Sequence, residues 1–245
     1  MSRPIEAVKP MRTLGLLGGM SWESTLPYYR YVNERVRERL GGLHSAKLVL
    51  YSVDFAEIEH LQHIDDWDTA GRVLADASQA LERAGAEALV LCTNTMHRVL
   101  DAIAPAIGIP VLHIADATAR RIRAAGLIKV GLLATRFTME QAFYRERLEA
   151  SGLSVLTPDA QMRTEVHRII YEELCLGTIR EASRATFHRA MADLVARGAQ
   201  AVILGCTEIG LLVGADDTSV PVFDTTRIHA EDAVDWALET AGTPD

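Results

Sequence analysis

A chain of 245 residues with 49% hydrophobic and 24% charged side chains has the makeup of a folded α/β protein, long enough for one large or two small cores. The formal net charge of −8 argues against nucleic acid or an anionic membrane as partner, since both favour a basic face. No apolar run approaches the roughly 18 residues of a membrane-spanning helix, residues 1–10 lack the apolar stretch of a secretion signal and read as a flexible tail, and three cysteines without paired spacing fit a reducing cytoplasm.

In chain order, short apolar runs alternate with longer amphipathic ones, the pattern of βα units around parallel sheets. Strands are predicted at Thr13–Leu17, Lys47–Val53, Ala88–Cys92 and Pro110–His113, then at Lys129–Ala134, Leu153–Leu156, Ala201–Gly205 and Pro221–Phe223. Helices are predicted at Trp22–Arg39, Trp67–Arg83, Ala115–Ala124, Met139–Glu149, Thr164–Cys175, Ile179–Arg197 and Ile228–Glu239. Gly85, Gly126 and Gly198 stand where helices should stop.

The sequence also repeats. Gly15-Leu16-Leu17 returns as Gly131-Leu132-Leu133 after 116 positions, and Tyr29-Arg30 as Tyr144-Arg145 after 115. Gly85-Ala86 returns as Gly198-Ala199 after 113, and Pro110-Val111 as Pro221-Val222 after 111. Ordered matches at a nearly constant offset point to duplicated halves. Ligands of such sheets bind at the carboxyl ends of strands, so two facing halves bring two strand-end loops to one cleft. The organisation expected is a tail (1–10), a first α/β domain (11–114 with 221–245) and a second (115–220).

At an offset of 113, Leu91-Cys92-Thr93-Asn94-Thr95 lies over Leu204-Gly205-Cys206-Thr207-Glu208. Each loop is expected to open a helix, whose N–H groups suit a carboxylate and lower a thiol's pKa. Cys206 pairs with Thr93, and alternation along the strand then turns Cys92 away from the cleft. Cys175, between Leu174 and Leu176 in a predicted helix, reads as a core residue.

The segments Gly15-Leu16-Leu17-Gly18-Gly19-Met20-Ser21, Asn94-Thr95-Met96-His97, Ala134-Thr135 with Thr138, and Gly205-Cys206-Thr207-Glu208, in this order, resemble the aspartate/glutamate racemases from about Met11 to the last helix. The resemblance implies two pseudo-symmetric Rossmann-like domains with parallel sheets, an active site in the cleft between them, no cofactor, a homodimer, and a free amino acid as the small-molecule substrate. In the family one cysteine removes the α-proton from one face and a second returns a proton to the other. The usual first motif is Cys-Asn-Thr; here it is Thr93-Asn94-Thr95, which resembles a Thr/Cys subgroup acting on L-aspartate or L-glutamate. Thr93 and Cys206 are therefore the expected catalytic pair, with Cys206 the base toward the L-substrate and partly thiolate at neutral pH. Met20, Ser21, Gln62, Asn94, Thr95, Thr135 and Thr207 are the expected substrate contacts.

Side-chain selectivity is expected from 52–62 and from Arg163 and its neighbours. Aspartate-specific relatives often carry a basic residue in that second-strand loop, where this chain has Ser52, Asp54 and Glu57; Arg163 or Arg136 would have to compensate. His97, His113 and His229 read as structural, His97 orienting the first loop, and Glu208 as a support for Cys206 or Thr207. Pyridoxal phosphate chemistry needs a Schiff-base lysine, yet Lys9 lies in the tail and Lys47 and Lys129 at strand starts. No C-x-x-C or H-E-x-x-H motif proposes a zinc, and Gly15, Gly18 and Gly19 do not form the dinucleotide spacing G-x-G-x-x-G. Alternatives left open are a racemase of neutral or broad-range amino acids, a single-cysteine decarboxylase or isomerase of the same superfamily, and a non-enzymatic amino-acid sensor.

Overall fold

The computed structural model describes residues 11–239; the expected tail and residues 240–245 lie outside them. Strands β1 (Leu14–Gly18), β2 (Leu48–Ser52), β3 (Ala88–Leu91) and β4 (Val111–Leu112) form a parallel sheet in the order β2-β1-β3-β4. Strands β5 (Lys129–Ala134), β6 (Ser154–Leu156), β7 (Ala201–Gly205) and β8 (Val222–Asp224) repeat that order as β6-β5-β7-β8. The central strands β1, β3 and β7 are buried throughout, which explains their unbroken apolar sequence, whereas β2 is half exposed at its edge. The helices are α1 (Trp22–Leu40), α2 (Phe55–His63), α3 (Trp67–Arg83), α4 (Leu100–Ile103) and α5 (Ile114–Ala124), then α6 (Arg136–Glu140), α7 (Ala142–Ala150), α8 (Ala160–Glu172), α9 (Glu181–Ala196) and α10 (Thr225–Leu238). None of the described helices is long and apolar enough to cross a membrane.

The sequence repeats do matching work in the two halves. Leu89 N–H donates to the Pro110 carbonyl and Val202 N–H to that of Pro221, both at 2.9 Å. Gly85 and Gly198, each at φ +93°, end α3 and α9 in a backbone conformation that a side chain would strain. Gly15 and Gly131 allow close packing on the central strands: a Cβ would stand 2.8 Å from Ala86 Cβ, in the turn after α3, at the first and 2.9 Å from Leu194 Cδ1 of α9 at the second. One match is out of register. Tyr144 is fully buried but Tyr29 is exposed; the buried counterpart is Tyr28, 116 positions earlier, the offset of the repeated glycines.

Gly15→Ala is accordingly expected to lower unfolding free energy by about 1–3 kcal/mol through overpacking. Gly131→Ala should cost less but not nothing: the tip of Leu194 can swing aside, while its Cβ, 3.0 Å away, would have to give by a few tenths of an ångström. Urea denaturation of both variants checks this ordering.

Each half lends its last helix to the other. Ile114, Ala115 and Ile122 of α5 follow the first sheet but pack in the core of the second. Ala230, Ala233 and Val234 of α10 follow the second sheet but pack with Leu14, Leu16 and Tyr28 of the first. The expected boundary at residue 221 is therefore four residues early: β8 pairs with β7, Val202 opposite Val222, and only the helix after it joins the first half.

Local differences have local causes. Segment 55–63, expected as loop, is helical, capped by Asp54, whose carboxylate accepts from Ala56 N–H. The helix predicted at Met139–Glu149 is split at Gln141, whose backbone is extended (φ −82°, ψ 152°). α8 starts at an Asp159 cap and stops at Glu172, so Cys175 falls in a separate 3₁₀ turn, Leu174–Leu176.

Candidate active site

The loops after β3 and β7 meet at one small cavity, with about 310 Å³ of empty space when the part open to solvent is included. It is lined by Thr93, Asn94 and Thr95 from the first half and by Thr135, Cys206, Thr207 and Glu208 from the second. Met20, Phe55 and Gln62 add a wall from the first half, and Ile170, Tyr171 and Cys175 one from the second. Cys92 is fully buried among Leu14, Leu16 and Tyr28, away from the cavity, as strand alternation requires once Thr93 faces it.

Glu208 organises the second loop. Its Oε2 accepts from Cys206 Sγ at 3.0 Å and from Thr207 Oγ1 at 2.9 Å. Its Oε1 accepts from Ser21 N at 3.1 Å and from Ser21 Oγ at 2.8 Å. Ser21 is thus the one expected substrate contact that does not line the cavity; its donors hold the carboxylate behind Cys206. The expected lowering of the thiol pKa is also reversed. Burial pushes the Cys206 thiol well above its usual value, and the charge of Glu208 pushes it further. Expecting a helix N-terminus here is the source of the error: the loop leads only into the three-residue 3₁₀ turn Ile209–Leu211, which has little dipole. The resting group is a thiol hydrogen-bonded to a carboxylate.

The polar lining ties the halves together. Thr95 Oγ1 lies 2.9 Å from Thr135 Oγ1 and 3.3 Å from Thr138 Oγ1, a hydroxyl cluster across the cleft. Asn94 Nδ2 donates to Thr225 Oγ1 at 3.0 Å, and that hydroxyl donates to the Leu204 carbonyl at 2.8 Å. Asn94 Oδ1 is buried without a partner, an acceptor available to a ligand. Gln62 accepts from Tyr171 OH at 2.7 Å and directs its Nε2 at Met96 Sδ at 2.9 Å.

Tyr171, Phe55, Ile170 and Cys175 are site residues that sequence reasoning missed. Cys175 in particular does more than pack against the core of the second half. It lines the cavity near Glu208, and burial followed by that carboxylate raises its pKa too. No local stop signal separates it from α8: Gly177, left-handed at φ +68°, closes the turn after Cys175 and not the helix before it. Arg163 is committed elsewhere, to Glu140 at 2.9 Å and the Pro158 carbonyl at 2.7 Å. Arg136 lies in a separate outer basin that shares Gln62 and Tyr171 with the cavity. Ser52, Asp54 and Glu57 do not line the cavity, and among the described residues no lysine, arginine or histidine lines it. Among the described residues no group of three or more His, Cys, Asp or Glu side chains is placed to hold a metal ion.

Behind Thr93 lies a histidine cluster. His97 Nδ1–H donates to the Thr93 carbonyl at 2.7 Å, so the ring braces the first loop. The His97 ring centroid is 4.4 Å from that of His113 and 6.1 Å from that of His229. His229 bonds the Leu112 carbonyl through Nε2 at 2.7 Å, which leaves Nδ1 to accept from Tyr28 OH at 2.8 Å. Burial lowers all three pKa values, to about 3 for His113 and about 4 for His229. An unfolded histidine titrates near 6.5, so the unfolded chain binds more protons between roughly pH 6.5 and 4. Stability should therefore fall as pH drops through that window, each ring contributing at most about 1.4 kcal/mol per pH unit. Urea midpoints across pH 7.5–4.5 test this, with His229→Gln expected to make the slope shallower by about one proton.

Two like-ordered parallel sheets, with a buried thiol from one half and a hydroxyl from the other in a single small cavity, define an α/β protein with a site for a small polar molecule at its strand ends. Residues 17–233 match the family model Asp/Glu/Hydantoin racemase, and the chain belongs to that family. It is an amino-acid racemase, an isomerase. A candidate Asp/Glu racemase from Yersinia pestis is 60% identical, with a TM-score of 0.86 over 94% of this chain and 100% of that one. An aspartate racemase homologue from Pyrococcus horikoshii is 37% identical, with a TM-score of 0.81 over 94% and 100%. A broad-specificity amino-acid racemase of Bacillus subtilis is 23% identical over 92% of this chain and 98% of its own.

Proposed function

We propose that this racemase inverts free amino acids without a cofactor, by proton transfer on two faces of the α-carbon, with Cys206 serving one face and Thr93 the other. The observation that carries this reading is the Cys206–Glu208 hydrogen bond, set in a cavity that Thr93 enters from the opposite half. An α-hydrogen is a very weak acid, so its removal needs a good base and stabilisation of the developing negative charge. A thiol becomes that base once its proton moves to Glu208 Oε2, 3.0 Å away. Thr93, whose hydroxyl is a far weaker acid than a thiol, acts as a relay on its own face, taking up a proton from water as it passes its own to the α-carbon. Asn94 Oδ1 accepts from the substrate ammonium, and the hydroxyls of Thr95, Thr135 and Thr207 hold the carboxylate, where charge builds as the α-proton leaves. Lys47 and Lys129 stand outside the cavity lining, which supports chemistry without a Schiff base. Because the enantiomers have equal free energy, kcat/KM must be equal in the two directions.

The family resemblance offers L-aspartate and L-glutamate as substrates; hydroxyl and amide groups of the lining are the donors available to their second carboxylate. Incubating the purified protein with single amino acids and no added cofactor, followed by chiral chromatography, tests the activity. Appearance of the antipode supports it, and its absence for every amino acid sends the site to the decarboxylase or sensor alternatives.

A further inference from the structure

We infer, resting on the racemase reading above, that the outer basin is the entry port for the amino acid: Arg136 receives its carboxylate there, and the Gln62–Tyr171 hydrogen bond is the door to the cavity. The reacting groups are closed off as they stand. Thr93, Asn94, Thr95, Cys206 and Thr207 are each at most 7% exposed, so a substrate has to part some contact to reach them. The cavity and the basin share two lining residues, Gln62 and Tyr171. Gln62 comes from α2 in the first half and Tyr171 from α8 in the second, and one hydrogen bond between neutral groups, 2.7 Å long, joins them. Such a bond exchanges readily for one to water or to a passing ligand. The basin beyond is wide, with about 1360 Å³ of empty space when the part open to solvent is included.

The basin holds a cation free to meet a carboxylate. Arg136 is half exposed, and its contact with Glu140 is loose at 4.0 Å, while Arg163 holds that carboxylate at 2.9 Å. Arg168, by contrast, is committed to Glu165 at 2.8 Å and to Glu172 at 3.3 Å. Asp65 accepts from the Trp67 indole, which leaves Glu59 on α2, of the basin carboxylates, for the substrate ammonium. Position links Arg136 to both the door and the cavity. Its backbone N–H donates to His167 Nδ1 at 3.3 Å, and the His167 ring lies 4.6 Å from that of Tyr171, centroid to centroid. Burial lowers the His167 pKa to about 4, so this ring is neutral near pH 7 and the guanidinium supplies the charge. Arg136 also follows Thr135, whose hydroxyl lines the cavity in the cluster assigned to the substrate carboxylate. A carboxylate that leaves Arg136 therefore meets its next donor one residue along the chain.

The test follows alkylation of Cys206 by two small reagents that differ in charge, neutral iodoacetamide and anionic iodoacetate, read by peptide mass. It needs no turnover, so its result and that of the racemase assay are read independently. Tyr171→Phe keeps the ring and removes the hydroxyl of the door; both reagents should then label Cys206 about fivefold faster, the scale of one neutral hydrogen bond. The factor should hold across pH, as a change of access does and a change of thiol acidity does not. Cys92, buried in the core of the first half, should stay unlabelled. Gln62→Ala should act in the same direction. Arg136→Gln should slow iodoacetate roughly three- to tenfold and leave iodoacetamide unchanged, with the difference fading at high salt. Unchanged labelling in both door variants overturns the inference. So does Cys92 labelled in step with Cys206, which would make the bond a support of the fold. Equal effects of Arg136→Gln on the two reagents would overturn its role in receiving the carboxylate.

Discussion

Cys206→Ala is expected to lower α-proton exchange by about 10³-fold or more, at the strong end of what a positioned acid–base group contributes. The side chain is small, 7% exposed and held by one hydrogen bond from its sulfur, so the fold should survive its truncation with a loss of about 1–2 kcal/mol. The variant also separates the functional classes. A racemase should keep binding its substrate, through Asn94 and the hydroxyl cluster, while losing turnover; calorimetric titration of wild type and variant shows whether binding persists. A sensor would have no turnover to lose. Exchange retained within tenfold of wild type would remove Cys206 from the mechanism.

Glu208→Gln should have the second largest effect, and its signature is unusual. Glutamine has the shape of glutamate but turns an acceptor into a donor, so an –NH₂ group must face either the Cys206 and Thr207 donors or the Ser21 donors. Losing hydrogen bonds to a buried carboxylate should cost about 2–4 kcal/mol of stability. It should also lower kcat about 10²-fold, because the thiol proton loses its acceptor. The thiol itself should become more acidic, since the negative charge of Glu208 is among the causes that hold its pKa up. The pH dependence of iodoacetamide labelling at Cys206, taken by difference against Cys206→Ala, reads this directly. A slower enzyme with a more acidic thiol fits Glu208 as the proton acceptor. A slower enzyme with an unmoved thiol assigns it a structural role only.

What the sequence disclosed and what it hid follow one physical division. The buried central strands announce themselves because parallel strands covered on both faces read as continuous apolar runs. The duplication is legible because the same backbone jobs recur at the same places, as with Gly85 and Gly198 or Pro110 and Pro221. The strand-end loops follow from the topology, and with them Thr93, Asn94, Thr95, Cys206 and Thr207. Segment 55–63 was a readable helix, with an Asp54 cap three residues before Glu57, but its charged residues disguise it as loop. Other features have no local signature. Gln62 and Tyr171 meet across 109 positions, and Ser21 and Glu208 across 187, through tertiary packing alone. The protonation of Cys206 is of the same kind. Its local sequence suggests a strand end opening a helix, which would make the thiol acidic. Only the fold shows that the following turn is short and that a buried carboxylate stands beside the sulfur.

The most direct test of two-sided proton transfer is where solvent deuterium appears early in the reaction. With an L-amino acid in heavy water, stopped at a few per cent conversion, the D-product should carry deuterium at the α-carbon while the remaining L-substrate keeps its protium. That is the result of one group removing the proton and a different group supplying another. Deuterium accumulating in the remaining substrate, together with protium carried into the product, would mean that a single group works both faces, and would contradict the pairing of Cys206 with Thr93.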